Sequence, residues 1–436
     1  MKRIRIVRGI ATLIACGLLT TAAQTSCAEA PKGFTAIFNG KNLDGWHGRK
    51  TDNPRKWSEA TEKQMAEWDA DMKAHWSAKD GAIVNDGHGV FLTTDKEYGD
   101  IELLIEYKTV PKADSGIYLR GTPQVQIWDT TDQTKFNLGA DKGSGGLWNN
   151  SPGAAGKDPL VLADKPFGEW NSFRIIQIGA RTSVWMNGKM VVDNALMENY
   201  WNRELPLIAK GAIQLQTHGG EIQWRNIYVR EIGSDEANKW LREKDTAGGD
   251  YTALFNGKNL DGWKGALENY EVVDDAIQCK KGKGGVLHTT GKYEDFEVVL
   301  EFQVPAGGNN GLAIRYPGSG DTAYVGMCEL QVLDNTAKKY SGLDKRQYHG
   351  SAYGMIAAHR GYLRDVGEWN YQKVTVKGST IRVELNGTVI LDGDLAKVEE
   401  YMAGKPHPGK DNKDGYFGFA GHSDPVRFRQ VHITSL

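Results

Sequence analysis

Cysteine is scarce, with four residues in 436, too few for a disulfide-stapled scaffold. Neither sign of charge dominates, since 53 basic residues meet 55 acidic ones. A nucleic-acid-binding protein would need a basic face to neutralise phosphates, so that class is excluded. Beyond the Gly9–Ala23 stretch there is no long apolar run, and mean hydropathy is −0.50, which excludes a multispan membrane protein. The chain also lacks a Gly-rich phosphate loop, a Gly-x-Ser-x-Gly elbow and a His-Glu-x-x-His zinc motif, and with them the chemistries those motifs support. What it has in excess is glycine, 53 residues, and tryptophan, 13. Many Gly-rich turns between short strands read as an all-β protein of the sandwich type.

Residues 1–28 read as a signal peptide. Lys2, Arg3, Arg5 and Arg8 precede the uncharged Gly9–Ala23 stretch, a basic n-region before an h-region too short to span a membrane. Small residues allow cleavage after Ala23 or Ala28. Leu13-Ile14-Ala15-Cys16 resembles a bacterial lipobox, which would put a lipid on Cys16, but the apolar run continues through Leu18 and Leu19 and favours soluble export. The mature chain is therefore expected to be periplasmic or extracellular, with no integral membrane span. Cys279 and Cys328 would be either one disulfide or two buried thiols.

The chain is an internal duplication. Phe38 to Trp46 recurs letter for letter as Phe255 to Trp263, and Gly168-Glu169-Trp170-Asn171 recurs as Gly367 to Asn370. Gly116 and Arg120 match Gly311 and Arg315, Gln126 matches Gln331, Asn187-Gly188 matches Asn386-Gly387, and His218 matches His422. Copies of about 190 residues are far longer than a solenoid repeat. They predict two homologous domains, 31–232 and 250–436, joined by a polar linker at 233–249 with a short helical piece. Copy one carries an insert at 57–76, where Met65, Trp68, Met72 and Trp76 recur at helical spacing. It predicts an amphipathic helix covering a sheet face or edge. Each Asn-Gly predicts a tight hairpin.

Strand alternation suggests where chemistry sits. Gly116, Tyr118 and Arg120 would share one side of a strand, as would Gln124, Gln126 and Trp128 on the next. Copy two offers Arg315, then Glu329 and Gln331. An Arg beside amides and an aromatic ring suits a hydroxyl-rich, flat ligand, a sugar, whereas plain solvent exposure is the ordinary alternative. His218 shares a face with Gln214 and Gln216, and His422 repeats it, which makes a general base possible in each copy. Asp114, His88 and Asp129 are candidate ligands for a divalent cation.

Taken together, Phe-Asn-Gly-Lys-Asn-Leu-Asp-Gly-Trp, Ser115-Gly-Ile-Tyr-Leu-Arg-Gly121, Gly-Glu-Trp-Asn and Leu215-Gln-Thr-His-Gly-Gly220 resemble the 3-keto-disaccharide hydrolase domain. The resemblance covers both copies and implies a concanavalin-A-like jelly roll in tandem. Family members usually carry Glu in the place of Gln124; copy two has it as Glu329, but has Ala420 where copy one has Gln216. The chemistry implied is cleavage of 3-keto-glycosides by C2 deprotonation, elimination at C1 and hydration. His218 or His422 would be the base, Glu329 base or acid, and Arg120 or Arg315 the enolate stabiliser. Trp148 and Tyr353 would stack on the sugar, beside Tyr118, Gln124, Gln126, Trp128, Gln216 and Gln331. A carbohydrate-binding lectin and an ordinary two-carboxylate glycosidase are the alternatives.

Overall fold

The computed structural model describes residues 29–436, so the expected signal peptide, with Cys16 and Cys27, lies outside the described residues. Each half of the chain is a two-sheet antiparallel sandwich, a jelly roll. In the first half an eight-stranded sheet, centred on Ile101–Thr109 and Ile222–Glu231, packs on a five-stranded one. The smaller sheet orders its strands Trp46–Arg49, Phe91–Tyr98, Gly211–Leu215, Ser115–Leu119 and Thr122–Ile127. The second half repeats this order with Trp263–Gly265, Gly284–Tyr293, Gly415–His422, Asn309–Tyr316 and Cys328–Leu333.

Period-2 alternation explains why these segments are strands. Leu103, Ile105 and Tyr107 project into the first core with Ile117, Leu119, Val125, Ile127, Ile213 and Leu215. The residues between them, including Gly116, Gln124, Gln126, Gln214 and Gln216, therefore lie on the outward face of the five-stranded sheet. Asn187-Gly188 and Asn386-Gly387 turn the hairpins with φ near +50° and +80° at both copies, the left-handed pair a two-residue hairpin demands.

The insert is a 3-10 turn, Pro54–Glu59, followed by α1, Glu62–His75. Thr61 and Gln64 close a capping box that sets the helix start. Only the C-terminal part of the apolar stripe is buried: Met72 and Trp76 join the core while Met65 is exposed. The helix lies against the edge strand Trp46–Arg49, and a Cβ at Gly48 would sit 2.3 Å from the Trp68 carbonyl oxygen, so only glycine permits this approach.

Residues 233–249 are not a free linker. They form α2, Ser234–Thr246, wedged between the outward faces of the two large sheets. Ala237 and Leu241 are fully buried with Ile176 and Ile178 of the first half and Val299 and Tyr371 of the second. Polar contacts surround this seam. Arg181 grips Glu384 with two bonds, of 2.7 and 2.6 Å, and Asp245 accepts from the Tyr371 hydroxyl and from Lys373. Cys279 and Cys328 are both free, buried thiols. No described helix is long and apolar enough to cross a membrane.

Candidate active site

In the second half a cleft of about 360 Å³ opens on the outward face of the five-stranded sheet. Its lining includes Glu329, Gln331, Tyr353, Tyr340, Lys405 and His422. The strand Cys328–Leu333 projects Glu329 and Gln331 to the same side. Gly311, opposite, leaves room for the carboxylate, since a Cβ there would lie 2.3 Å from Glu329 Oε1. His422, at the end of its strand, places Nε2 3.4 Å from Glu329 Oε1. Its ring is half-exposed, whereas Glu329 is buried. Thr322 donates its hydroxyl to the other carboxylate oxygen. The hydrogen bond that His422 donates to Glu329 raises the histidine pKa above its ordinary value, burial opposing it. Gln331 donates to Asn309 Oδ1 at 2.6 Å, and the Tyr353 hydroxyl accepts from Gln347.

The first half builds the corresponding place with one exchange. Strand register puts Gly116 opposite Gln126 just as it puts Gly311 opposite Gln331. It follows that Gln124 stands where Glu329 stands, and Asp114, one residue before its strand, where Asn309 stands. The carboxylate and the amide have traded positions. Asp114 Oδ2 lies 3.0 Å from His218 Nδ1 and 2.7 Å from Lys135 Nζ, and its Oδ1 accepts from Gln126 Nε2 at 2.9 Å. Burial pushes the Asp114 pKa up, but the bonds from His218 and Lys135 outweigh it and hold the group below the usual carboxylate range. The same bond raises His218. Gln124 donates to Gln126 Oε1. Trp128 meets Trp148 edge to face at 5.8 Å, and the Trp148 indole donates to the Leu138 carbonyl. Tyr118 sits on the same outward face against Phe91, at 5.1 Å, and burial raises its phenol pKa.

Arg120 and Arg315 are a correction. Neither reaches these clusters. Arg120 is buried and donates to the carbonyls of Ile208 and Gly99 and to Asp100; Arg315 donates to those of Glu294, Gly378 and Asn412 and to Asp295. Both have left-handed backbone, φ +54° and +45°, and a register shift interrupts each strand there. The alternation that placed Arg120 beside Tyr118 therefore breaks one residue too early. The cation set Asp114, His88 and Asp129 is not assembled either. Asp129 caps its own loop, accepting from Lys112 N and Thr131, and among the described residues no group of three or more His, Cys, Asp or Glu is placed to hold a metal ion. The protein donors present thus do not make a divalent site by themselves. Lys135, Thr322 and Lys405 were not singled out by the sequence reading. Only the match of Asp114 to Asn309 at the spacing of Gly116 to Gly311 hints at the exchange.

Each jelly roll thus sets a carboxylate against an imidazole among buried amides on the outward face of its smaller sheet. Both halves, residues 33–230 and 250–434, match the model of the 3-keto-alpha-glucoside-1,2-lyase-like domain, and the chain belongs to that family. It is 26% identical to a 3-keto-disaccharide hydrolase of Bacteroides thetaiotaomicron, over 48% of this chain and 86% of that one. A solved structure from Parabacteroides distasonis, named as a glycosyl hydrolase, is 25% identical over 43% of this chain and all of that one, with a TM-score of 0.40. A carbohydrate-binding module from Bacillus subtilis is 14% identical over 42% of this chain and all of that one, at 0.30.

Proposed function

We propose that this chain is an exported enzyme that cleaves 3-keto-glycosides. The observation that carries the reading is the His422–Glu329 contact in the cleft of the second half. A raised-pKa imidazole bonded to a carboxylate is an acid and a base held side by side. A ketone at sugar C3 acidifies the C2 hydrogen. Glu329 takes that proton, and the electron pair becomes the C2–C3 enolate. The enolate then re-forms the ketone, the C1–C2 double bond appears, and the C1–O bond breaks. His422 protonates the leaving oxygen. The pair is left as carboxylic acid and neutral imidazole, and one proton passed across the 3.4 Å contact restores it. Water adding across C1 and C2 gives the free keto sugar. Lys405, on the cleft wall, supplies positive charge for the enolate oxygen.

A two-carboxylate glycosidase would need a second free carboxylate across the cleft. Asp321 also lines it, but its Oδ1 caps the short helix α3, Thr322–Val325, by accepting from Ala323 N. Export rests on the basic and apolar N-terminus alone. Incubating the protein with a p-nitrophenyl 3-keto-glucoside and with its unoxidised parent tests the activity. Release from the keto substrate, with at most a trace from the parent, is expected. Equal release from both would point to direct displacement at C1, and binding without release to a lectin.

A further inference from the structure

The first half has Gln124 where the second half has Glu329 and would be taken for an inactive copy. We propose instead that it is a second catalytic site for the same class of keto sugar, in which Asp114, at the start of the neighbouring strand, stands in for that carboxylate and Lys135 provides the cation. The inference rests on the function proposed above.

Four observations support it. Asp114, buried at 6% exposure, meets His218 at 3.0 Å, so the acid–base contact is conserved in kind although the carboxylate has changed strand. The imidazole answers the change: it offers Nδ1 to Asp114 but Nε2 to Glu329 in the other half. Lys135 lies 2.7 Å from the same carboxylate, while the corresponding loop position in the second half is Tyr340, whose hydroxyl is spent on the Gly307 carbonyl. Finally, the floor holds unspent acceptors. Gln124 Oε1 and Gln216 Oε1 are buried without a hydrogen-bond partner, in side chains 4% and 7% exposed. They converge because Gly116 has no Cβ, which would stand about 3.0 Å from one amide and 3.1 Å from the other. Buried amide oxygens left unpaired are costly unless a ligand donates to them, and sugar hydroxyls are such donors.

The step balances as in the other half. Asp114 accepts the C2 proton, His218 delivers its proton to the leaving oxygen, Lys135 faces the enolate oxygen, and one proton crossing from Asp114 to His218 resets the pair. No oxidant, and no reactant beyond the hydrating water, is needed.

The test uses the full chain with p-nitrophenyl 3-keto-glucoside. The double variant Glu329→Gln/His422→Ala silences the second half and should keep measurable turnover. Adding Asp114→Asn should lower that residue of activity at least ~10²-fold in kcat, the scale of losing a general base. Adding Lys135→Met instead should do so through kcat more than KM. Adding Gln216→Ala should act chiefly on KM, raising it by ~3–10-fold, the worth of one hydrogen bond. Thermal melting shows that each variant is folded, and His218→Gln repeats the measurement if Asp114→Asn is not. Wild-type turnover abolished by Glu329→Gln/His422→Ala alone overturns this inference and spares the proposed function. Residual turnover indifferent to Asp114→Asn and His218→Gln overturns it too. A wild type inactive on the keto substrate sinks both.

Discussion

His349 stacks on Phe302 at 4.9 Å inside the second sandwich, beside Gln372. Burial drives its pKa down to about 3. Its folded pKa therefore lies below the unfolded one, near 6.5. The unfolded chain binds a proton that the folded chain refuses, so stability falls as pH drops below about 6.5, by up to about 1.4 kcal/mol per unit. His349→Leu should flatten the urea-midpoint loss between pH 7 and 5 relative to wild type; equal slopes would contradict this. His422 behaves oppositely. Its folded pKa is raised, so its contact with Glu329 is stabilising below the unfolded pKa and is lost as pH rises through the folded one. Cleavage by the second half should decline on that same basic limb, and the pH profile of a His218→Ala variant reads it directly. Individual residues were only partly legible. His218, His422, Glu329 and the glutamines repeat or alternate in sequence, whereas Asp114 and His218 are joined by a contact between distant chain segments that no local spacing records.

At the scale of strands and loops, Arg120 and Arg315 teach the most. Each ties the end of a strand back to the turn that leads into the preceding large-sheet strand, through Asp100 or Asp295. Removing a buried guanidinium strips two or three backbone carbonyls of their donor and leaves the carboxylate with a backbone N–H but without this cation, a loss of up to ~3–5 kcal/mol. Arg315→Met should lower the thermal midpoint markedly while leaving kcat within a few-fold at temperatures where the variant is folded. A kcat collapse in the folded variant would return the arginine to the chemistry. The sequence reading misassigned both because alternation assumes extended backbone, and a single left-handed residue ends that assumption. The insert was legible as a helix from its 3.6-residue stripe. Its pairing with Gly48 was not, being set by a close approach between remote segments.

The whole molecule was legible as a duplication because whole motifs recur letter for letter, but the polarity of residues 233–249 concealed a structural role. α2 is polar because it presents charges to two domains at once: Arg242 to Glu301 and Lys244 to Asp193. With Leu241 fully buried between them, the halves should melt together. Leu241→Asp buries an unpaired carboxylate at the seam and should split one calorimetric transition into two; a single unshifted transition would show that the seam carries no coupling. The joined halves present two acid–base pairs on different strands, and the central claim is that such pairs act on the hydrogen beside the ketone. The most direct measurement follows a 3-keto-glucoside carrying deuterium at C2 through turnover in ordinary water. The account predicts that deuterium slows aglycone release and is missing from the keto sugar produced. Turnover at an unchanged rate with C2 deuterium fully retained would contradict it.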